Sequence, residues 1–277
     1  MVTGAGISAR FFASGREMQL RILATASGRS VHAITTPQHD VAAATRWFAQ
    51  WNCYRAIVDH DWMSHAAIAA TIRSRLLGER RMPFRVLDLG CGDADPAIRA
   101  LEGTAVVSYT GVDAAPAALG EARRRLAAAS FSADLVAADA IAEVAARADR
   151  GSTTDVVLAG YLVHHFTPDL KRRFFTDCRR VLAPGGEFYF NDIHRLPGTT
   201  RDDYLAAYVE GMRGWQPMEA EAFAATCEHV LAHDFPETEE FTMRAAADAG
   251  FDVSGALLFA DPAGFHRLYR FVAGGLA

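Results

Sequence analysis

The segment Val86-Leu87-Asp88-Leu89-Gly90-Cys91-Gly92 decides the fold, because a short apolar run leads directly into a glycine turn. Such a run, which begins at Arg85, is typical of a strand that is buried on both faces of a parallel sheet. Gly90 and Gly92 let the backbone turn sharply and approach a ligand closely. The segment therefore predicts a binding site for a nucleotide-like molecule at the carboxyl end of this strand.

Strands and helices alternate along the chain that follows. The apolar runs predict strands at 85–89, 106–112, 134–137, 155–159 and 187–190, with helices between them at 95–101, 116–129, 141–146 and 168–182. The turn Pro184-Gly185-Gly186 precedes the fifth strand. Such an alternation predicts an α/β domain whose parallel sheet is covered by helices on both faces.

The pattern changes after the fifth strand. Two helices around 202–212 and 219–233 form an insertion at 197–235, and a further helix at 242–249 ends at Gly250. The last two strands, at 253–259 and 265–272, are joined by the short turn Asp261-Pro262-Ala263-Gly264. A connection this short requires the two strands to be antiparallel.

The N-terminal part is divided into two segments. Residues 1–38 carry four arginines but only one acid, Glu17, which fits a transit peptide, a disordered arm or a start assigned too far upstream. We expect a poorly ordered arm. From 40 to 77, apolar and aromatic residues recur every three or four positions, which predicts a helical segment at 39–80. Residues 81–277 then form the main domain.

Composition excludes several classes of protein. A net charge of −5 and the absence of clustered basic residues argue against a nucleic-acid-binding surface. The sequence contains no run of 18 apolar residues, so it predicts no membrane span. The four cysteines, which form no paired motif, favour a reducing, cytoplasmic location; they are Cys53, Cys91, Cys178 and Cys227. We expect a monomer or a homodimer.

Three acids coincide with three consecutive strand ends. Asp88 would repel a pyrophosphate, so it either faces a cationic group or orients the turn. Asp113 follows the second strand, where an acid accepts hydrogen bonds from ribose hydroxyls. Asp139 follows the third strand, where an adenine amino group could be met. The alternative for each acid is a helix N-cap.

As a set, these motifs resemble class I S-adenosylmethionine-dependent methyltransferases of the small-molecule type. The resemblance covers 84–190 and 238–273, and includes the segments 86–93, 155–166, 182–186 and 247–251. It implies a Rossmann-like seven-stranded sheet of order 3-2-1-4-5-7-6 with strand 7 antiparallel, an N-terminal helical lid, and a helical insertion after strand 5. It also implies S-adenosylmethionine as the cofactor and in-line transfer of its methyl group to a small organic acceptor.

Other functions remain open on the same fold. A nicotinamide dehydrogenase requires a third glycine where Asp95 stands, and Asp93 adds a second negative charge beside the expected pyrophosphate. A cofactor-binding protein with non-methylating chemistry, such as a cyclisation, and a purely structural protein are the further alternatives.

The resemblance assigns site residues to positions of this sequence. Cofactor-binding residues are predicted in the first three strand ends and in the lid: Asp88, Gly90, Gly92, Asp113, Ala114, Asp139, Ala140 and Tyr54. Substrate-binding residues are predicted in the lid and after strands four and five: Tyr161, His60, His65, Asn191 and His194.

The loop after the fourth strand carries the candidate catalytic residues, His164 and His165. A histidine has a pKa near ~6.5, which suits it to taking a proton at neutral pH. The alternative is that one of them caps the next helix or packs beneath Phe166. We expect no metal, because this loop offers no acid before Asp169 and magnesium prefers oxygen ligands.

Overall fold

The computed structural model describes residues 51–215 and 218–274, and the side chains from residue 55 onward. The predicted N-terminal arm at 1–38 and the first part of the predicted helical segment lie outside the described residues.

The described residues form one mixed sheet. Its strands are β1 Phe84–Leu89, β2 Val106–Asp113, β3 Ser132–Ala137, β4 Thr154–Gly160, β5 Leu182–Ile193, β6 Phe251–Asp252, β7 Leu257–Ala260 and β8 His266–Ala273. The order is β3-β2-β1-β4-β5-β8, with β6 and β7 both paired to the outer edge of β8. β1 to β5 are parallel, and β8 is antiparallel to β5. The predicted order is therefore confirmed, with the sixth strand divided into β6 and β7.

A turn causes this division. Gly255 has a φ of 62°, and Ala256 N donates to the Val253 carbonyl at 3.2 Å. At Leu257 the register of β7 with β8 is offset by two residues from that of β6, so the turn inserts two extra residues into the edge strand. An irregularity between Leu257 and Phe259 adds a third. The predicted continuous strand at 253–259 is wrong in its first half for this reason.

Helices cover both faces of the sheet. They are α1 Trp51–Asp59, α2 His65–Glu79, α3 Asp95–Leu101, α4 Pro116–Leu126, α5 Ala140–Asp149, α6 Pro168–Val181, α7 Arg201–Met212, α8 Ala220–His233 and α9 Glu239–Asp248. Alternate strand residues supply the two cores: Leu87, Val157 and Phe188 pack with α5, α6 and α9, whereas Val86, Leu158 and Tyr189 pack with α2, α3 and α4. This two-residue period explains why the strands are apolar throughout.

Within the helical segment predicted at 39–80, the structure describes two helices, α1 and α2, with a break between them. Asp61 and Ser64 adopt positive φ values of 54° and 58°, which break the helix. The Asp61 carboxylate accepts a hydrogen bond from Ala66 N at 2.8 Å, so it binds an otherwise unpaired donor in the first turn of α2. We call α1, α2 and the link between them the lid.

The insertion adds a third layer over the carboxyl end of the sheet. A capping box of Thr200 and Asp203 starts α7. Apolar residues of α7 and α8 pack on Ile193, at the end of β5. Trp215, which follows α7, stacks on Trp62 of the lid with ring centroids 5.3 Å apart. The insertion and the lid therefore meet. No helix in the described part of the chain is both long and apolar enough to cross a membrane.

A buried carboxylate joins the lid to the main domain. Asp93 has no exposed surface. It accepts a hydrogen bond of 2.8 Å from Arg55 of α1, and Arg125 of α4 lies 3.2 Å from the same oxygen. Both guanidinium groups also pair with other acids, Asp59 and Asp95 respectively.

Asp93→Asn should destabilise the fold, because a fully buried carboxylate with two cationic partners loses its charge. We expect a loss of about 1–3 kcal/mol in the free energy of unfolding by urea. The matched control is Asp59→Asn, which changes the exposed partner of the same Arg55 and should stay within about 0.5 kcal/mol of the wild type. Equal losses in both variants would contradict the role assigned to Asp93.

Candidate functional site

A cavity of about 210 Å³ lies at the carboxyl ends of the parallel strands, beneath the lid and the insertion. A water molecule occupies ~30 Å³ in the liquid, so the space is sized for an organic ligand. Open α/β sheets bind their ligands at this edge, where the strand order reverses. Here the reversal lies between β1 and β4.

The glycine turn forms one wall of the cavity. Gly90 and Gly92 have φ values of 74° and 53°, a conformation that favours glycine. The backbone N–H groups of Gly90 and Cys91 both donate to the Val112 carbonyl, at 2.8 and 3.0 Å. The turn is thereby fixed against the end of β2, with both glycines lining the cavity.

Asp113 holds the same turn from the opposite side. Its Oδ2 accepts a hydrogen bond from Gly92 N at 2.9 Å, and its Oδ1 accepts one from Ala115 N at 2.8 Å. Burial raises the pKa of Asp113, and these backbone hydrogen bonds partly offset that rise. Each carboxylate oxygen has a second lone pair, so the side chain can still accept from a ligand hydroxyl.

Asp88 and Asp139 have different local roles. Asp88 is buried in the cavity wall and accepts a hydrogen bond of 2.7 Å from the Tyr109 hydroxyl. Asp139 caps α5, since its Oδ1 accepts from Ala142 N at 2.8 Å. Of the three acids, Asp139 is the one to which the N-cap interpretation applies. Ala114 and Ala140, the residues after Asp113 and Asp139, also line the cavity.

Apart from its histidines, the charged side chains that the structure places in the cavity wall are carboxylates. Among the described residues that line it, none is a lysine or an arginine, whereas Asp88, Asp113 and Asp139 all contribute. The start of α3 is also acidic: Asp93 Oδ1 accepts from Asp95 N at 3.2 Å. A carboxylate therefore already lies where a dinucleotide would place its pyrophosphate.

His164 lies in a single 3₁₀ turn, Val163–His165, after β4. Its Nδ1 lies 2.5 Å from Asp192 Oδ1, and its backbone N–H donates to Asp192 Oδ2 at 2.9 Å. Burial alone would lower the pKa of His164, but the charges of Asp192 and Asp234 outweigh it and raise the pKa. Asp192, at the end of β5, thus fixes the orientation of this ring.

His165 and Asp234 complete a group that we call the histidine–aspartate cluster: His164, His165 and Asp234. Asp234, the residue after α8, is 3% exposed. Its Oδ1 lies 3.5 Å from His165 Nδ1 and 3.7 Å from His164 Nε2. Burial lowers the pKa of His165 and raises that of Asp234 to about 6. All three residues line the cavity.

The sequence offered no signal for Asp234. It lies in the insertion, far along the chain from the histidines, and only the packing of α8 over the sheet brings it to them. Asp192 could have been found, because it stands at a strand end beside Asn191.

Three of the predicted substrate-binding residues line the cavity: Tyr161, His65 and Asn191. Tyr161 has a φ of 51° at the end of β4, and its hydroxyl donates to the Met63 carbonyl in the lid. The His65 ring lies 5.0 Å from the Tyr161 ring, and burial lowers the pKa of His65 to about 4. His65 is therefore neutral at pH 7.

Two predicted substrate-binding histidines do not line the cavity. His194 is buried in the core, with Nδ1 3.1 Å from the Asp192 carbonyl and Nε2 3.2 Å from the Thr242 hydroxyl, so both nitrogens are occupied. His60 is exposed on the lid and stacks on Trp62 at 4.9 Å. The structure thus does not bring these two side chains to the cavity. Tyr54 lies in α1, and its side chain is outside the described residues.

Asp88 should make stability depend on pH. Burial raises the pKa of Asp88 to about 7, because the folded state favours the neutral carboxyl group. The free energy of unfolding that depends on this neutral form is present in acid and is lost as the pH rises through 7. Asp88→Asn keeps an acceptor for Tyr109 without the charge. The free energy of unfolding of this variant, relative to the wild type, should therefore increase between pH 5 and pH 8. A difference that is constant over this range would contradict an ionising, buried Asp88.

Comparisons with known proteins agree with the fold and the cavity. Residues 86–186 match the family described as methyltransferase domain. A curated relative, an uncharacterized methyltransferase of Synechocystis, is 31% identical over 111 residues, which is 40% of this chain and 48% of that protein. The chain thus spans about half the length of this relative.

Solved structures with the same fold include two methyltransferases. Magnesium protoporphyrin IX methyltransferase of Synechocystis, with bound S-adenosylmethionine, has a TM-score of 0.57 at 11% identity over 87% of this chain and 99% of that one. The 1,6-didemethyltoxoflavin-N1-methyltransferase of Burkholderia thailandensis, with bound 1,6-didemethyltoxoflavin and S-adenosylhomocysteine, has a TM-score of 0.55 at 17% identity over 88% and 93%.

The open sheet with one antiparallel strand, and the cavity at its strand ends, define the class I methyltransferase fold. Residues 86–186 of this chain are similar to the methyltransferase domain family, and the solved structures share its fold. The resemblance drawn from the sequence motifs is confirmed at this level.

Proposed function

We propose that this protein uses S-adenosylmethionine to methylate a small organic acceptor. The observation that carries the proposal is one continuous cavity with two chemically different walls. The glycine turn and the strand-end carboxylates form one wall, and the histidine–aspartate cluster and aromatic side chains form the other.

The residues of the first wall fit S-adenosylmethionine. Its sulfonium and ammonium groups are cationic, which suits a wall whose charged side chains are carboxylates. Asp113 would accept hydrogen bonds from the ribose hydroxyls, and Asp139 with Ala140 would meet the adenine. Gly90 and Gly92 leave room for the amino acid part. When bound, this cofactor supplies an electrophilic methyl group.

Methyl transfer by in-line displacement demands alignment more than acid–base chemistry. The lid and the insertion supply this by enclosing the cavity: Trp62 stacks on Trp215, and the Tyr161 hydroxyl binds the Met63 carbonyl. The enclosure also excludes water from the reacting groups.

The second wall sets the chemistry of the acceptor. Tyr161, Tyr208 and Trp215 line it, which favours a planar, largely apolar molecule. The histidine–aspartate cluster is the polar end of this wall. The nucleophilic atom of the acceptor lies there, beside His164 and His165. The solved neighbour that holds 1,6-didemethyltoxoflavin supports an acceptor of this size.

The absence of lysine and arginine among the described lining residues argues against a nicotinamide dehydrogenase, which must bind a pyrophosphate. Cytoplasmic location, the absence of a nucleic-acid partner and a monomeric or homodimeric state stay predictions from the sequence.

Asp113→Asn should weaken the binding of S-adenosylhomocysteine, because one acceptor for the ribose and one support of the glycine turn are lost. We expect about 10–100-fold weaker binding in isothermal titration calorimetry. Asp134→Asn, an exposed acid on β3, is the control and should bind as the wild type does. Unaltered affinity in Asp113→Asn would reject this placement of the ribose.

The activity itself is tested with S-adenosylmethionine labelled on its methyl group and a panel of small aromatic and heteroaromatic metabolites. The label should appear in a small product, and unlabelled S-adenosylhomocysteine should accumulate. Binding without labelled product from any metabolite would favour non-methylating chemistry. Failure to bind the cofactor at millimolar concentration would reject the proposal.

A further inference from the structure

The histidine–aspartate cluster places three donor atoms around one point of the cavity wall. Asp234 Oδ1 lies 3.7 Å from His164 Nε2 and 3.5 Å from His165 Nδ1. Donor atoms of all three residues lie within 4.8 Å of one another. A tetrahedral ion with bonds of about 2.1 Å separates its ligands by about 3.4 Å. The donor atoms thus lie somewhat farther apart than in a metal site, and His165 Nδ1, which also lies 3.3 Å from the His233 carbonyl, would turn from that oxygen to the ion.

The environment of His164 is that of a metal ligand. Its Nδ1 faces Asp192 at 2.5 Å, which leaves Nε2 directed at Asp234. Metal-ligating histidines commonly donate their other ring N–H to a carboxylate, which fixes the tautomer and strengthens the ligand. Asp192 is itself held by the backbone N–H groups of His164 and Ile193, at 2.9 and 2.8 Å.

The side chain of Asp234 independently points to a bound ion. Its Oδ1 is buried and has no hydrogen-bond partner among the described residues. A buried carboxylate oxygen without a partner is costly. The basic side chains nearest to it direct their hydrogen bonds elsewhere: Lys171 binds Glu237 and the Phe235 carbonyl, and Arg201 binds the carbonyls of Leu231 and Asp234.

Charge balance favours a dication at this point. Asp192 and Asp234 are both buried beside the two imidazole rings. Lys171 is already paired with Glu237 at 3.0 Å. When both histidines are neutral, the two negative charges of Asp192 and Asp234 balance the two positive charges of one divalent ion. Two nitrogen ligands favour zinc, iron or another first-row transition metal over magnesium or calcium.

We propose that His164, His165 and Asp234 bind one divalent transition-metal ion, with an open coordination position that faces the cavity. The three residues all line that cavity, so a ligand atom within it reaches the fourth position. Metal binding does not depend on the proposed function. The further consequence, that the ion holds and polarises the nucleophilic atom of the methyl acceptor, rests on it.

This proposal revises the expectation of no metal. That expectation relied on the absence of an acid close to the histidines in the sequence. The fold provides the missing acid as Asp234, and places a carboxylate on His164 as Asp192.

The test is a titration of the full-length, tag-free chain, stripped with a chelator, with Zn²⁺ alone. We expect one zinc ion per chain with a dissociation constant of about 1 µM or tighter. Co²⁺ should give a visible d–d spectrum without the strong charge-transfer band of thiolate ligands, which checks the ligand type in the unaltered protein.

Three variants and a control locate the ion. His164→Ala and Asp234→Asn should lose stoichiometric binding, and Asp192→Asn should bind zinc about 10–100-fold more weakly. His229→Gln is the matched control, because His229 lines the same cavity with its ring 5.3 Å from that of His165, outside the three ligands. It should bind zinc as the wild type does.

The proposal is overturned if the wild type takes up no stoichiometric zinc at about 100 µM. It is equally overturned if His164→Ala and Asp234→Asn bind zinc unchanged, or if Co²⁺ shows thiolate ligation. S-adenosylhomocysteine titrated into the same samples separates the two proposals. Cofactor binding without zinc rejects the metal site alone, and zinc binding without cofactor binding rejects the proposed methyl donor alone.

Discussion

The rest of the site depends on the Asp113 carboxylate. Its two oxygens accept hydrogen bonds from Gly92 N and Ala115 N, so a single buried side chain ties the glycine turn after β1 to the end of β2. The positive φ values of Gly90 and Gly92 are held in place by this contact and by the Val112 carbonyl.

Buried carboxylates also decide which ligands the cavity can accept. Asp93 is saturated by Arg55 and Arg125, which are thereby held away from the cavity while they join the lid and α4 to the turn. The described cavity wall is left with acids and histidines and contains no lysine or arginine. At the far end, Asp192 and Asp234 surround two histidines. This distribution of charge supports the proposed cationic methyl donor at one wall and the proposed metal ion at the other.

The sequence predicted those features of the fold and the site that depend on local patterns of residues. The alternation of strands and helices followed from apolar runs, and the antiparallel hairpin followed from its short turn, whereas the strand order came from the resemblance to class I methyltransferases. The carboxylates at strand ends followed from their spacing. Features that depend on packing between distant segments were not predictable. Asp234 lies beside His165 because the insertion packs over the sheet. His194 lies in the core, where its Nε2 contacts the Thr242 hydroxyl of α9. The break between α1 and α2 lies at Asp61 and Ser64, whose positive φ values no local helical pattern predicts.

A crystal structure of the protein with S-adenosylhomocysteine is the most direct test of the account. We predict that the ribose hydroxyls bind Asp113, that the adenine lies beside Asp139 and Ala140, and that the sulfur faces the histidine–aspartate cluster across the cavity. A ligand whose ribose lies away from Asp113, or whose sulfur faces away from His164, would contradict the central claim that these two walls form one active site.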